Sequence, residues 1–248
     1  MRVSFSIPAY NEEAKIGQCL ESVIAEIKRS GLTGNAEIVV VNNASTDRTK
    51  EIARSFPGVR VVDESRKGVA SARQAGFLAT SGDLLANIDA DTLVPPGWLS
   101  KVVRTFERNE KLVGLSGPYI YYDLPFFKRM VAILLVSTYP LIHMLTHHLA
   151  RAGAILQGGN FVLRRTALEK IGGFDTSISF YGEDTDIARR IAQVGRVKWT
   201  LFLPMYSSGR RLAHEGMVTT GMRYALNYFW IIFTKHPWSR EHVDVRVP

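Results

Sequence analysis

The sequence predicts an α/β fold in which a mostly parallel central sheet carries helices on both faces. Short apolar runs rich in β-branched residues alternate along the chain with segments whose apolar residues recur at helical spacing. Strands that alternate with helices form parallel sheets, because each helix crosses back over the sheet before the next strand. Polar clusters follow several strand-like runs, and in an open α/β sheet ligands bind at that edge.

The composition indicates an ordinary globular protein. Its 248 residues include 46% hydrophobic and 22% charged residues, without bias toward disorder. The formal net charge of +8 and the pI near 9.7 favour anionic partners such as phosphates or acidic lipid headgroups. The basic residues are scattered and no nucleic-acid-binding motif occurs, so nucleic acid is not an expected partner.

Cysteine usage and the first residues bear on the compartment. The single cysteine, Cys19, excludes an internal disulfide and fits a reducing compartment. Met1 and Arg2 lead straight into a strand-like run, so no signal peptide is expected. No linker, repeat or low-complexity segment interrupts the chain, and we expect one domain over residues 1–248.

The first strand is predicted over residues 3–7, which are rich in β-formers. Apolar residues from Ile16 to Ile27 then follow at helical spacing. Asn11 is predicted to cap this helix, with the acids Glu12 and Glu13 in its first turn.

Two further strands are predicted next. Residues 38–41 are a buried-strand run followed by the polar cluster 42–47, and residues 59–62 form the next strand. A helix rich in small residues then carries Arg73. Neither GxGxxG nor GxxxxGKS occurs at a strand–helix junction. The usual dinucleotide fingerprint and the P-loop are therefore not indicated.

Residues 84–88 form the fourth predicted strand, and Asp89 and Asp91 follow directly after it. In an extended chain, side chains two residues apart point to the same side. Two carboxylates at a strand's carboxyl end suit a hard divalent cation that shares oxygen ligands with substrate phosphates. A polar turn between strand and helix is the alternative interpretation.

The second half of the sequence begins with a predicted strand at residues 113–117 and continues into the most apolar region, residues 126–149. The apolar stretch 130–142 is shorter than the roughly 20 residues that a membrane-spanning helix needs. We expect an amphipathic helix pair that lies on a membrane or forms a lid, or else a hydrophobic core. His143 and His147 are four residues apart but lack an accompanying acid, so no metal site is predicted there.

Acidic residues gather again near the end of the chain. Glu183, Asp184 and Asp186 precede or begin a predicted helix, where the helix dipole favours negative charge. Simple capping accounts for one of them, while three acids after two glycine-rich turns indicate a functional cluster. A strand over residues 199–206 and an aromatic helix around Tyr224 complete the expected elements.

Taken in order, these motifs resemble those of the inverting nucleotide-sugar glycosyltransferases of family 2, which have the GT-A fold. The resemblance covers about residues 3 to 195. The matching segments are residues 7–12 (IPAYNE), 43–49 (NASTDRT), Gly68 with 72–76 (ARQAG), 89–91 (DAD), 159–160 (GN), 172–175 (GGFD) and 183–190 (EDTDIARR).

The resemblance implies a hexosyltransferase-type enzyme that needs a divalent metal, Mn or Mg, and a nucleotide-diphosphate sugar as donor, and that inverts the anomeric carbon. Residues 1–92 would form the nucleotide-sugar-binding half, and residues 93–248 the acceptor-binding half with a C-terminal helix. The acceptor is expected to be a sugar or lipid-linked hydroxyl, such as a cell-envelope glycan. The expected location is cytoplasmic, with peripheral contact at the inner face of the membrane.

The resemblance also implies a role for individual residues at the donor. Asp91 would bind the metal directly, with Asp89 near the ribose and the metal. Arg210 or Arg211 would stabilise the leaving diphosphate, unless they are only surface charges, and His214 is left open as a further metal ligand. Asn43, with its neighbour, replaces an aspartate pair found in many relatives, which leaves the base open. The residues expected to bind the donor are Pro8, Ala9, Tyr10, Glu12, Asn43, Arg73, Asp89, Arg210 and Arg211.

Inversion requires a base on the sugar face opposite the leaving diphosphate, where it takes the proton of the acceptor hydroxyl. Asp184 is the predicted base and Glu183 the alternative, with Asp186 as a helix-capping partner of Arg190.

Three rival interpretations remain from the sequence. A nucleotide-sugar-binding protein without turnover should have lost a carboxylate, yet all four predicted ones are present. A nucleotidyltransferase should carry a glycine-rich, Arg-containing loop after the first strand, where this chain has PAYNE. A peripheral membrane-binding protein would not need the acid pairs.

Overall fold

The computed structural model describes residues 1–138, 154–178 and 182–234. Their main element is a seven-stranded sheet with the strand order β3-β2-β1-β4-β8-β6-β9, in which β8 runs antiparallel to both neighbours and the other pairs are parallel. A smaller sheet has the order β5-β10-β7. The strands are β1 Val3–Ala9, β2 Ala36–Asn42, β3 Val59–Asp63, β4 Leu84–Ile88, β5 Thr92–Leu93, β6 Leu112–Ser116, β7 Tyr119–Tyr121, β8 Asn160–Arg164, β9 Arg196–Trp199 and β10 Met205–Ser207.

Helices connect most of these strands, as the sequence predicts. They are α1 Ile16–Arg29, α2 Thr49–Arg54, α3 Val69–Ala79, α4 Trp98–Glu107, α5 Phe126–Val136, α6 Arg165–Lys170, α7 Glu183–Ile191, α8 Arg210–Glu215 and α9 Met217–Thr234. Among the described residues, no helix combines the length and the apolar character needed to cross a membrane. The mostly parallel α/β fold is confirmed.

Strand β4 shows why helices cover both faces of the sheet. All five of its residues are buried. Leu84, Ala86 and Ile88 enter the core that α1 and α4 complete, whereas Leu85 enters a second core with α6 and α7. Because successive side chains of a strand point to opposite faces, a continuous apolar run needs an apolar partner layer on each side.

The predicted cap of α1 is wrong. The helix begins at Ile16, and Asn11 adopts a left-handed conformation with φ of 50°. The side-chain oxygen of Asn11 accepts a hydrogen bond from the backbone N–H of Thr46 at 2.8 Å, and the N–H of Glu12 donates to Oγ1 of Thr49 at 2.7 Å. The segment after β1 is thus tied to the loop after β2, which satisfies its polar groups without a helix.

The single strand predicted over residues 199–206 is also wrong, because the chain forms two strands there. Strand β9 ends at Trp199, a turn follows, and β10 starts at Met205 in the other sheet. The side-chain amide of Asn160 donates to the backbone oxygen of Leu203 at 2.9 Å and holds the turn.

The predicted apolar region 126–149 is described in part. Helix α5 covers its first half, while residues 139–153, with His143 and His147, lie outside the described residues. The aromatic C-terminal helix is confirmed as α9.

Candidate active site

A cavity of about 930 Å³ lies at the carboxyl ends of β1, β2 and β4. Every residue predicted from the sequence to bind donor, metal or proton lines this cavity, namely Pro8, Ala9, Tyr10, Glu12, Asn43, Arg73, Asp89, Asp91, Glu183, Asp184, Arg210 and Arg211. His214 is exposed on α8 and is not among the lining residues. The topology therefore brings the separate motifs to one place.

Arg73, on α3, is a buried residue that lines the cavity. Its buried guanidinium donates to Oε2 of Glu183 at 2.5 Å and to Oδ1 of Asp89 at 3.2 Å, and it stacks 5.0 Å from the ring centre of Phe161. Burial opposes its charge, but the two carboxylates raise the pKa of Arg73 above its ordinary value. Arg73 therefore couples the segment after β4 to the start of α7.

The two acids at the start of α7 have different surroundings. Burial raises the pKa of Glu183 to about 8, and Arg73 offsets this only in part. Burial also raises the pKa of Asp184, against the opposing effect of Arg73. Oδ1 of Asp184 accepts the backbone N–H of Thr185 at 2.8 Å, whereas its Oδ2 has no hydrogen-bond partner among the described residues.

Asp186 faces away from these groups. Its carboxylate accepts hydrogen bonds from Arg189 at 3.0 Å and from Arg190 at 2.7 Å. The ion pair expected between Asp186 and Arg190 is confirmed, and Gly182 occupies the helix cap.

Tyr119, at the start of β7, is a site residue that the sequence analysis did not single out. Its buried hydroxyl donates to Oδ2 of Asp89 at 3.1 Å and accepts the backbone N–H of Gly159 at 2.5 Å. Burial, followed by the charge of Asp89, raises the pKa of Tyr119 well above its ordinary value. A Cβ atom on Gly159 would lie 2.2 Å from the Asp89 carboxylate, so this approach requires glycine.

Asp91 and Asp89 pair with different arginines. Oδ2 of Asp91 lies 3.1 Å from Nη2 of Arg210, which also contacts Glu12. Arg211 instead donates to Glu215 at 2.7 Å. Although the chain turns at residues 90–91 instead of staying extended, both aspartates line the same cavity.

The residues present are compatible with a divalent cation that takes most of its ligands from substrate. Within the described parts of the chain, no group of three or more His, Cys, Asp or Glu side chains is assembled to hold a metal. Both oxygens of Asp89 have protein partners and Oδ2 of Asp91 lies beside Arg210, so a cation bound at either carboxylate would compete with a protein group. Mg²⁺ is commonly bound by one or two carboxylates together with substrate phosphates.

Asn43, predicted to contact the nucleotide, is held by the protein itself. Its Nδ2 donates to the backbone oxygens of Glu64 at 3.0 Å and Arg66 at 2.7 Å, and its Oδ1 accepts the N–H of Gly68 at 2.9 Å. These bonds position the loop that leads into α3. Both amide hydrogens are occupied, so only Oδ1 has a lone pair left for a nucleotide.

Lys67 is a second residue that the sequence analysis missed. Its ammonium group lies 4.9 Å from the ring centre of Tyr10 and 3.1 Å from the hydroxyl of that residue, at the edge of the cavity. No motif signalled Lys67, because its position depends on the loop that Asn43 holds.

The outer wall of the cavity is apolar. Helix α5 contributes Ala132 and Leu135, and α9 contributes a larger set comprising Met217, Val218, Met222, Tyr224 and Tyr228. Several side chains of these helices are exposed, among them Phe127 at 78% and Val218 at 75%. The polar floor therefore opens toward an apolar entrance.

The fold and this cavity define a glycosyltransferase of the GT-A type. Residues 4–172 match the family described as "Glycosyl transferase family 2", and the chain belongs to that family. The fold and enzyme class predicted from the sequence are confirmed.

Two relatives illustrate the range of the family. "Probable glycosyltransferase YdaM" of Bacillus subtilis (strain 168) is 28% identical over 210 residues, which cover 78% of this chain and 47% of that protein. "Undecaprenyl-phosphate 4-deoxy-4-formamido-L-arabinose transferase" of Photorhabdus laumondii is 34% identical over 119 residues, which cover 46% of this chain and 36% of that protein. The matches thus span less than half the length of either relative.

A solved structure supports the fold over almost the whole chain. The mannosyltransferase PcManGT from Pyrobaculum calidifontis, solved in complex with GDP-Man and Mn²⁺, has a TM-score of 0.68 at 22% identity. The likeness covers 94% of this chain and 63% of that one. At this identity it shows the fold alone.

Proposed function

We propose that this protein transfers a sugar from a nucleotide-diphosphate sugar to an acceptor hydroxyl, with inversion at the anomeric carbon and with dependence on a divalent metal. The observation that carries the proposal is that one cavity contains both a candidate site for metal and diphosphate and a candidate catalytic base. Asp91 lies beside Arg210 at one place, and Asp184 lies beside the Arg73–Glu183 pair at another.

The donor is expected to lie along the ends of β1, β2 and β4. Pro8 and Tyr10 would flank the base, with Lys67 beside the Tyr10 ring. Arg210 would move to the diphosphate, because a guanidinium matches the geometry of phosphate oxygens as well as that of carboxylates. The matched structure with GDP-Man and Mn²⁺ supports this class of donor.

A divalent cation bound to Asp91 would stabilise the charge that develops on the leaving diphosphate. Asp91 would hold it with one carboxylate, and Asp89 would be oriented nearby by Arg73 and Tyr119. Arg210 would add a second positive charge at the same place.

Asp184 is the proposed base. Oδ2 of Asp184 has no partner among the described residues, and its carboxyl has a raised pKa, so it can accept a proton from the acceptor hydroxyl. Glu183 is less suited, because its carboxylate is occupied by Arg73 and buried. We therefore assign Glu183 a positioning role.

The acceptor is proposed to carry an apolar part, such as a lipid-linked phosphate or glycan. The apolar entrance formed by α5 and α9 supports this class, and Lys128 and Arg129 on α5 would favour an anionic membrane surface. The Photorhabdus relative is named for an undecaprenyl-phosphate substrate. We propose peripheral contact with the inner face of the membrane.

The test is transfer from a panel of nucleotide-diphosphate sugars to undecaprenyl phosphate and to a soluble glycan, with Mn²⁺ or with chelator. Products of wild type and Asp184→Asn are analysed by NMR for anomeric configuration. The proposal expects a metal-dependent product of inverted configuration from wild type alone. A retained configuration would overturn inversion, and nucleotide-sugar binding without product would favour the non-catalytic alternative.

A further inference from the structure

A second cleft, of about 610 Å³, lies between α4 and β9, and it shares no lining residue with the candidate active site. We call it the basic cleft, because half of its lining residues are basic. These residues are Lys101, Arg104, Arg108, Arg196 and Lys198. The cations look scattered in the sequence, but the fold gathers them.

Two elements create this arrangement. Lys101, Arg104 and Arg108 recur at intervals of three and four residues, which places them on one face of α4 and its C-terminal end. Arg196 and Lys198 alternate with buried residues on β9, which is the edge strand of the main sheet. Both elements therefore direct basic side chains to the same cleft.

These cations are not neutralised within the part of the chain that the structure describes. None of the five forms an ion pair there, and no Asp or Glu lines the cleft. Lys101 donates to the backbone oxygen of Phe202 at 2.5 Å. Some arginines elsewhere have carboxylate partners, such as Arg73 with Glu183, whereas Arg164 and Arg165 donate to backbone oxygens. Like charges held close together repel, and a bound anion would relieve that repulsion.

We propose that the basic cleft binds a ligand bearing several phosphate charges. Arginine presents planar donors that match phosphate oxygens, and three of the five cations are arginines. The remaining lining includes the hydroxyls of Ser100 and Thr105 and the amide of Asn109, all of which can donate to such oxygens. The volume lies in the range of small-molecule sites, about 300–1,000 Å³.

The phosphates have two possible sources, a free phosphorylated molecule or a lipid headgroup. Leu201 and Phe202 are 46% and 76% exposed beside Lys101, and this apolar tip would suit a headgroup at a membrane surface. The recognition chemistry is the same in both cases, so the experiment distinguishes the sources.

The test measures binding of inorganic tripolyphosphate to the whole protein by calorimetry, at low salt and with chelator present. The variant Arg104→Gln/Arg108→Gln removes two charges of the cleft, and Lys28→Gln/Lys170→Gln removes two exposed charges elsewhere. All four side chains are exposed, so both variants should fold, which their thermal midpoints check.

We expect the cleft variant to bind about tenfold more weakly and the control variant to change by less than about twofold, since two exposed phosphate contacts are lost only in the former. Equal weakening in both variants would reduce the effect to net charge and overturn the proposal. Unchanged binding in the cleft variant would place the anion elsewhere, in the donor cavity for example, and would also overturn it.

A second arm uses sedimentation with vesicles of phosphatidylglycerol and phosphatidylcholine. If vesicle binding also falls in Arg104→Gln/Arg108→Gln, the headgroup is the source. If vesicle binding is absent or unaffected while tripolyphosphate binding falls, the ligand is a free phosphorylated molecule. Because the variant leaves the donor cavity intact, neither result depends on the proposed sugar transfer.

Discussion

The guanidinium of Arg73 lies 2.5 Å from the carboxylate of Glu183, and the two side chains are only 2% and 8% exposed. This buried contact joins α3, in the first part of the fold, to the start of α7. Removing one partner of a buried ion pair leaves an uncompensated charge, which costs about 3–5 kcal/mol. In the proposed mechanism Glu183 is a positioning residue and its neighbour Asp184 takes the proton.

The first prediction separates these two acids. Asp184→Asn should lower the turnover number of sugar transfer by about 10²–10⁴-fold while donor binding persists, because only the proton acceptor is lost. Glu183→Ala should instead lower the free energy of unfolding, because the buried guanidinium of Arg73 loses this acceptor. Initial rates and urea unfolding measure the two effects, and near-normal transfer by Asp184→Asn would exclude it as the base.

The second prediction concerns pH and stability. Burial raises the pKa of Glu183 from 4.5 to about 8 in the folded state, so between these values the folded protein holds a proton that the unfolded chain releases. Its contribution to the free energy of unfolding is therefore complete below pH 4.5 and declines as pH rises to about 8.

As pH rises from 4.5 to about 8, the free energy of unfolding of wild type should fall relative to that of Glu183→Gln. Chemical unfolding at several pH values measures it, with Glu169→Gln as the exposed control. A difference that stays constant with pH would show that Glu183 titrates normally.

The third prediction is that Arg210 and a divalent cation compete for Asp91. Without donor, Arg210→Gln should bind Mn²⁺ about threefold more tightly, because a partly exposed ion pair no longer has to be broken. Sugar transfer should nevertheless slow by about 10²-fold, since a charge that stabilises the leaving diphosphate is lost.

Mn²⁺ binding is followed by electron paramagnetic resonance. Arg211→Gln is the matched control, because Arg211 pairs with Glu215. Weaker Mn²⁺ binding in Arg210→Gln would mean that the guanidinium supports the metal site instead of competing with it.

The fourth prediction tests Tyr119. Tyr119→Phe removes the hydrogen bond to Asp89 and leaves the N–H of Gly159 without its acceptor, so the free energy of unfolding should fall by about 1–3 kcal/mol. Donor affinity should fall as well, because Asp89 loses its orientation. Tyr206→Phe, on an exposed tyrosine of β10, should have little effect on either quantity. Equal free energies of unfolding for the two variants would show that the hydrogen bonds of the Tyr119 hydroxyl do not stabilise the fold.

The sequence predicted most strands of the main sheet, and the residues that it singled out lie together in one cavity, because both depend on local patterns. The apolar run of β4 and the acids after it occur within a few residues of each other, and parallel strands bring their carboxyl ends to one edge. Asn11 was misassigned because its side chain bonds to Thr46, on a different loop, and a long-range bond leaves no local pattern.

The remaining features depend on packing between distant segments. Tyr119 reaches Asp89 and Gly159 from another strand, and the basic cleft combines α4 with β9. Spacing along the chain indicates neither contact. Residues that sequence reasoning missed are therefore those whose partners lie far away in the chain.

The most direct test of metal-dependent donor binding is a thermal-shift measurement with nucleotide diphosphates and their sugars, with and without Mn²⁺, on wild type and Asp91→Asn. A ligand that binds only the folded state at 100 times its Kd stabilises it by about 2.7 kcal/mol. The account predicts a rise in Tm for wild type with one nucleotide, dependent on Mn²⁺ and absent in Asp91→Asn. An equal rise in both proteins, or no rise with any nucleotide, would contradict it.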